Sequence, residues 1–140
     1  NLPNPKMMDV AVPANLKIGL EQDGPDILRK TLTPSAAKSL IHSKKVLCID
    51  IREHFERKKI GSIPGSLHVP YTTLKTAIKS DGLLFKITQE SQKSLLIYCS
   101  YGERSALALK LLQKAEINDV FHLGGGINSW KKWQSNKAAN

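Results

Sequence analysis

Residues Leu95 to Ser105, Leu-Leu-Ile-Tyr-Cys-Ser-Tyr-Gly-Glu-Arg-Ser, decide the fold, because a short apolar run delivers a cysteine into a glycine-containing turn. A helix-forming segment follows at once. Leu95, Leu96, Ile97 and Tyr98 make a continuous apolar stretch of strand length, and Ser105 to Ala115 consists mostly of strong helix formers with a leucine face. Cys99 therefore falls where a strand becomes a helix. The first turn of a helix leaves backbone N–H groups unpaired and carries the positive end of the helix dipole, and both favour an anion. Thiolate is the nucleophilic form of cysteine, so Cys99 is the candidate nucleophile, with Arg104 as a neighbouring positive charge. Gly102 lets the loop fold tightly enough for its amides to converge on one point.

Working outward, strands and helices alternate. Thr33 is placed to cap a helix whose first residue is Pro34, with apolar spacing through Ala36, Ala37, Leu40 and Ile41. A strand over Val46 to Asp50 is followed by a short helix near His54 to Lys58, the Pro64-Gly65 turn and a small strand at Leu67 to Val69. A helix over Thr72 to Lys79 ends at Asp81-Gly82. After the cysteine loop and its helix come a strand at Val120 to Leu123 and a last helix around Ile127 to Trp133. This alternation implies an α/β fold, a central parallel sheet of about five strands flanked by helices on both faces. Ligands in such sheets bind beyond the carboxyl ends of the strands, where the loop after Tyr98 lies.

With 140 residues the chain has room for one domain with a real core and too little for two. Residues 1–30 hold four of the seven prolines, Pro3, Pro5, Pro13 and Pro25, and are expected to form an extended arm. The catalytic domain is expected over 31–135, with a tail at 136–140. No run reaches the roughly 18 apolar residues of a membrane span, and no leader pattern is visible. The cytoplasm is the expected compartment, with an exported form lacking its leader as the alternative.

The two cysteines, Cys48 and Cys99, do not make a disulfide framework. Cys48 reads as core packing, or as a resolving thiol for Cys99 if their strands are neighbours. His42, His54, His68 and His122 are scattered without ligand spacing, so no metal or other cofactor is expected. Gly124-Gly-Gly126 lacks the lysine and spacing of a nucleotide loop and reads as a tight turn before Trp130, which with Trp133 serves packing. The net charge of +9 invites a polyanion partner, but the lysines are dispersed pairs, Lys44-Lys45, Lys58-Lys59 and Lys131-Lys132, so no nucleic-acid partner is expected. The charge is read as solvated faces, or as a field steering small sulfur oxyanions or an acidic partner.

Cys99-Ser-Tyr-Gly-Glu-Arg-Ser105 resembles the active-site loop of the rhodanese family of sulfurtransferases, whose common form reads Cys-x-x-Gly-x-Arg-Ser. Three further blocks resemble the family in order. They are Val46 to Glu53 with Asp50-Ile-Arg52-Glu53, Gly61 to Pro70 around Pro64-Gly65, and Val120 to Trp130; with the loop they span roughly 31 to 133. The resemblance implies a double displacement in which Cys99 takes the outer sulfur of thiosulfate or another persulfide donor and passes it to cyanide, a thiol or a protein cysteine. It also implies that the backbone of Ser100, Tyr101, Gly102, Glu103, Arg104 and Ser105 cradles the sulfur. Asp50 and Arg52 support the site as an ion pair, or Arg52 holds the incoming oxyanion. His68 stands where the family more often has asparagine, and a loop contact is expected of it. Small sulfur anions or thiols, a sulfur-donor or acceptor protein and a monomeric state are expected. Glu103 departs from this picture by setting a negative charge where a dianionic donor approaches. Two other readings stand beside it, a binding module and a phosphatase or arsenate reductase. Against the latter, Cys99 and Arg104 enclose four residues, whereas phosphatases resembling rhodaneses have five.

Overall fold

The structure, a computed structural model, describes residues 27–139. Its elements are β1 (Thr31–Leu32), α1 (Pro34–His42), β2 (Val46–Asp50), α2 (His54–Ile60), β3 (Leu67–His68), a 3-10 turn (Tyr71–Thr73) running into α3 (Leu74–Ala77), α4 (Leu83–Ser91), β4 (Ser94–Tyr98), α5 (Glu103–Lys114), β5 (Val120–Leu123) and α6 (Gly126–Ala139). The five strands form one sheet in the order β1-β5-β4-β2-β3, and each pairing is parallel. Register pairs Asp50 of β2 with Tyr98 of β4, so both chemically interesting loops leave the same edge of the sheet.

Parallel strands buried on both faces read as continuous apolar runs, and the alternation of side chains sorts them into two cores. One holds Ile49, Ile51, Leu95, Ile97 and Cys99 against Leu84 of α4 and Leu109 and Leu112 of α5. The other holds Val46, Cys48, Leu96 and Tyr98 against Ala37 of α1 and Ile127 and Trp130 of α6. Each large aliphatic side chain so buried contributes about 1.5–3 kcal/mol. Cys48 and Cys99 thus point to opposite faces of the sheet although β2 and β4 are neighbours, which rules out Cys48 as a resolving thiol. Both are free, and burial pushes the Cys48 thiol up to about 12, with the Asp50 charge adding to the shift.

Local signals account for much of this layout. Thr33 Oγ1 accepts the Ala36 N–H at 3.2 Å and Pro34 opens α1. Glu53 and Glu56 form a capping box at α2, where the Glu53 N–H donates to Glu56 Oε1 at 2.9 Å. Three expectations need correction. The arm does not extend to residue 30: 27–29 are helical, and Ile27 is 1% exposed within the first core. The rest of the expected arm lies outside the described residues. The tail is not separate either, because α6 runs on to Ala139. Lastly, α4 occupies Leu83–Ser91, a stretch to which the sequence pattern assigns no element.

Candidate active site

Cys99 follows β4 and lies at the focus of the turn that begins α5. The Gly102 N–H donates to its Sγ at 3.1 Å and the Ser105 N–H at 3.3 Å, while Ser105 Oγ lies 3.6 Å away. Gly102 adopts φ +108° as the N-cap of α5, a conformation that side-chain-bearing residues rarely take. The first helical bond runs from the Ala106 N–H to the Gly102 carbonyl, so the amides before it have no intrahelical partner. Converging N–H donors at a helix start are suited to holding an anionic sulfur.

The cup is braced from behind by the turn into α6. The Ile127 N–H donates to the Cys99 carbonyl at 2.9 Å, and the Asn128 N–H and Nδ2 donate to the Ser100 carbonyl at 3.2 and 2.9 Å. Gly126 packs so closely that a Cβ there would run into the Cys99 and Ser100 backbone, and its φ is +64°. The glycine run is therefore a seat for the cysteine loop as well as a turn. Tyr101 is half-exposed at the rim, and Glu103 Oε1 stands 4.0 Å from the sulfur.

Arg104 is bound elsewhere than expected. Its guanidinium makes a two-pronged pair with Glu56 of α2, NH1 to Oε1 at 2.9 Å and NH2 to Oε2 at 2.8 Å. Ser100 Oγ donates to the same carboxylate at 2.9 Å. The Arg104 hydrogen bonds hold the Glu56 carboxyl down at about 2, so the pair is charged throughout the working range. The guanidinium thus braces the loop while its charge remains close enough to act on Cys99. Glu56 was missed by sequence reading. The capping-box pattern Glu53-x-x-Glu56 marks it as a helix-start residue, and nothing local announces a partner 48 positions away.

Asp50 and Arg52 form a buried pair below the cup. Asp50 accepts Arg52 Nε at 3.0 Å, NH2 at 2.8 Å and the Arg52 backbone N–H at 2.9 Å, with Arg57 NH1 and the Tyr98 hydroxyl each at 3.0 Å. Arg52 also donates to the Gly61 carbonyl at 2.5 Å and is 0% exposed. It is committed to the interior, which corrects the alternative that it holds an incoming oxyanion. His68 makes the loop contact, with Nε2 2.6 Å from the Arg52 carbonyl oxygen. His122 was also missed as a site residue. It is buried, its Nδ1 lies 2.8 Å from Ser105 Oγ, and burial pulls its imidazole down to about 4.

A parallel α/β sheet presenting a cysteine in a helix-start cup defines a structural class suited to holding an anion beyond the carboxyl ends of its strands. Within that class, the sequence model of the rhodanese-like domain matches residues 33–132, and the chain belongs to this family. A mouse thiosulfate sulfurtransferase/rhodanese-like domain-containing protein 3 is 30% identical over 109 residues, covering 74% of this chain and 68% of that protein. A Saccharomyces cerevisiae thiosulfate:glutathione sulfurtransferase is 31% identical over 94 residues, covering 64% and 67%. Other relatives are longer, the match making up 24% of their length. Among solved structures, a Rhodopseudomonas palustris protein of unknown function, described as a possible tyrosine phosphatase, aligns with a TM-score of 0.75 at 29% identity, covering 96% of this chain and 97% of that one. The relatives support a sulfurtransferase-type transferase.

Proposed function

We propose that this protein moves a sulfane sulfur through a persulfide on Cys99. The observation that carries the reading is the pair of N–H donors from Gly102 and Ser105 aimed at Sγ from the start of α5. In the first step the Cys99 thiolate attacks the outer sulfur of the donor. For thiosulfate the S–S bond breaks and sulfite leaves with its electron pair. In the second step an acceptor nucleophile attacks the outer sulfur of the persulfide, and Cys99 departs as thiolate. The amides of the 100–105 loop stabilise sulfur anions in both states, and their fixed positions spare reorganisation during reaction. Ser100 and Arg104 hold the loop through Glu56, Tyr101 forms the rim, and Asp50 with Arg52 secures the strand end beneath.

Glu103 shapes donor choice. A carboxylate 4.0 Å from the sulfur opposes a dianion more than a monoanionic or neutral persulfide, so a low-molecular-weight or protein persulfide is the favoured donor. The yeast relative's name pairs thiosulfate with a thiol acceptor, and a thiol is the acceptor proposed here. Glu103→Gln is expected to lower the KM for thiosulfate about fivefold, the scale of one charge contact at a screened surface. An unchanged KM in initial-rate kinetics removes this account of donor choice.

The phosphatase reading is supported by the description of the Rhodopseudomonas neighbour, but two features oppose it. The cup has four residues between cysteine and arginine, and Arg104 is tied to Glu56 rather than turned over the sulfur. Intact-protein mass spectrometry tests the reading directly. Reduced protein incubated with thiosulfate or a persulfide donor is expected to gain one sulfur atom, to lose it to cyanide, and to gain none after alkylation of Cys99. Failure to load from any donor, with Cys99 demonstrably free, favours a binding module.

A further inference from the structure

Behind the sulfur runs a chain of polar groups that the transfer steps do not use. Cys99 Sγ lies 3.6 Å from Ser105 Oγ, Ser105 Oγ 2.8 Å from His122 Nδ1, His122 Nε2 3.0 Å from Thr31 Oγ1, and Thr31 Oγ1 2.6 Å from the Ile27 carbonyl oxygen. The chain crosses the sheet edge from the start of α5 through β5 to β1 and the helical residues before it.

Its far end fixes its direction. A carbonyl only accepts, so the single hydroxyl proton of Thr31 lies on the Ile27 oxygen. Thr31 Oγ1 has then only lone pairs for His122, and Nε2 must carry the hydrogen. His122 is buried and neutral, as its lowered titration supports, so Nδ1 is left bare. The Ser105 hydroxyl donates to Nδ1 at 2.8 Å in preference to the Gly102 carbonyl at 3.1 Å, its other acceptor. What Ser105 offers Cys99 is therefore a lone pair. It accepts from the thiol and has no proton to give an anionic sulfur. Because the chain ends on a carbonyl, which takes a hydrogen bond but no proton, it orients without conducting.

We propose that His122, locked by Thr31, is a positioning residue that keeps the Ser105 hydroxyl proton turned away from Cys99, so that Ser105 offers the sulfur only a lone pair and an anionic sulfur is left to the backbone amides. The proposal deepens the sulfur-transfer reading and rests on Cys99 being its nucleophile. Other charged groups facing Cys99 are Glu103 on α5, 4.0 Å away, and Arg104 with its partner Glu56 of α2. They are unchanged in the variants below and cancel in the comparison.

Two measurements test it, and neither uses a sulfur donor, so their failure is distinct from failure of the transfer reading. Imidazole 15N NMR of the full chain is expected to show His122 with Nε2 protonated and Nδ1 bare across about pH 5–8. A protonated Nδ1 overturns the proposal. In Thr31→Val, His122 loses its acceptor, turns to the Nδ1–H tautomer and frees the Ser105 proton for the sulfur. Iodoacetamide alkylation of Cys99 near pH 6 is expected to quicken about fivefold, the worth of one hydrogen bond. Thr31→Ser is expected to restore the original rate, and Thr31→Val in a Ser105→Ala background to change nothing further. An unaltered rate in Thr31→Val with the His122 tautomer unmoved, or an equal acceleration without Ser105, also overturns it. Circular dichroism melting confirms that the variants compared are folded.

Discussion

Cys99→Ser is expected to abolish sulfur transfer and keep the fold, whereas Cys48→Ser should keep transfer and weaken the fold. The two residues differ in which side of the sheet they face and in what surrounds them. At position 99 a serine oxygen fits the same cup, since the Gly102 and Ser105 N–H groups donate to an oxygen as well as to sulfur. It cannot form a persulfide, however, and loss of an enzyme's nucleophile costs on the order of 10⁶ in turnover. Position 48 packs against Leu96 and Tyr98 beside the α1 and α6 helices, and its thiol stays protonated because burial pushes it up to about 12. A hydroxyl placed there needs a hydrogen-bond partner that an apolar cluster does not offer, at a cost of about 1–3 kcal/mol. Thiocyanate formation from a persulfide donor and cyanide reads the first effect, and the urea midpoint reads the second. Turnover surviving in Cys99→Ser would falsify the assignment of the nucleophile.

Most of the sheet was legible because parallel strands covered on both faces announce themselves as apolar runs, as in Val46 to Ile49 and Leu95 to Tyr98. The cysteine cup was legible for a similar reason: the strand, the glycine and the helix that shape it are contiguous. What escaped was made of long-range pairs or lacked punctuation. Helix α4 is flanked by Gly82, which has no side chain to cap its start, and by Gln92, which takes φ +57° where a glycine usually ends a helix, so neither end is clearly marked in the sequence. Strand β1 is two residues long and exists only because β5 lies beside it. Arg104 read as a charge for the sulfur, yet its geometry is set by Glu56 from another helix. His122 looked isolated in sequence because its partners, Thr31 and Ser105, lie 91 and 17 positions away.

The buried pair beneath the cup has the largest expected effect on stability. Asp50→Ala removes one carboxylate that holds Arg52, Arg57 and the Tyr98 hydroxyl, and it leaves the Arg52 guanidinium fully buried with no carboxylate, against the Gly61 and Glu56 carbonyls and the Tyr98 ring. An uncompensated buried charge of this kind costs about 3–5 kcal/mol, against a typical total of about 5–15 kcal/mol for a domain. Arg57 suffers less, being 23% exposed and able to turn to water. The loss reaches the site through Tyr98. Its hydroxyl receives the Ile63 N–H and contacts Ser66 Oγ, each at 3.0 Å, and donates to Asp50, so it pins the end of β4 one residue before the nucleophile. The same physics predicts a rescue. Replacing both members by apolar side chains, Asp50→Leu with Arg52→Met, removes the stranded charge together with its partner, and pairs replaced in this way are often neutral in stability. The double variant is therefore expected to melt above Asp50→Ala in urea titrations. If it melts lower, the Arg52 bonds to the Gly61 and Glu56 carbonyls, rather than its charge pairing, are what hold the α2 segment against the sheet.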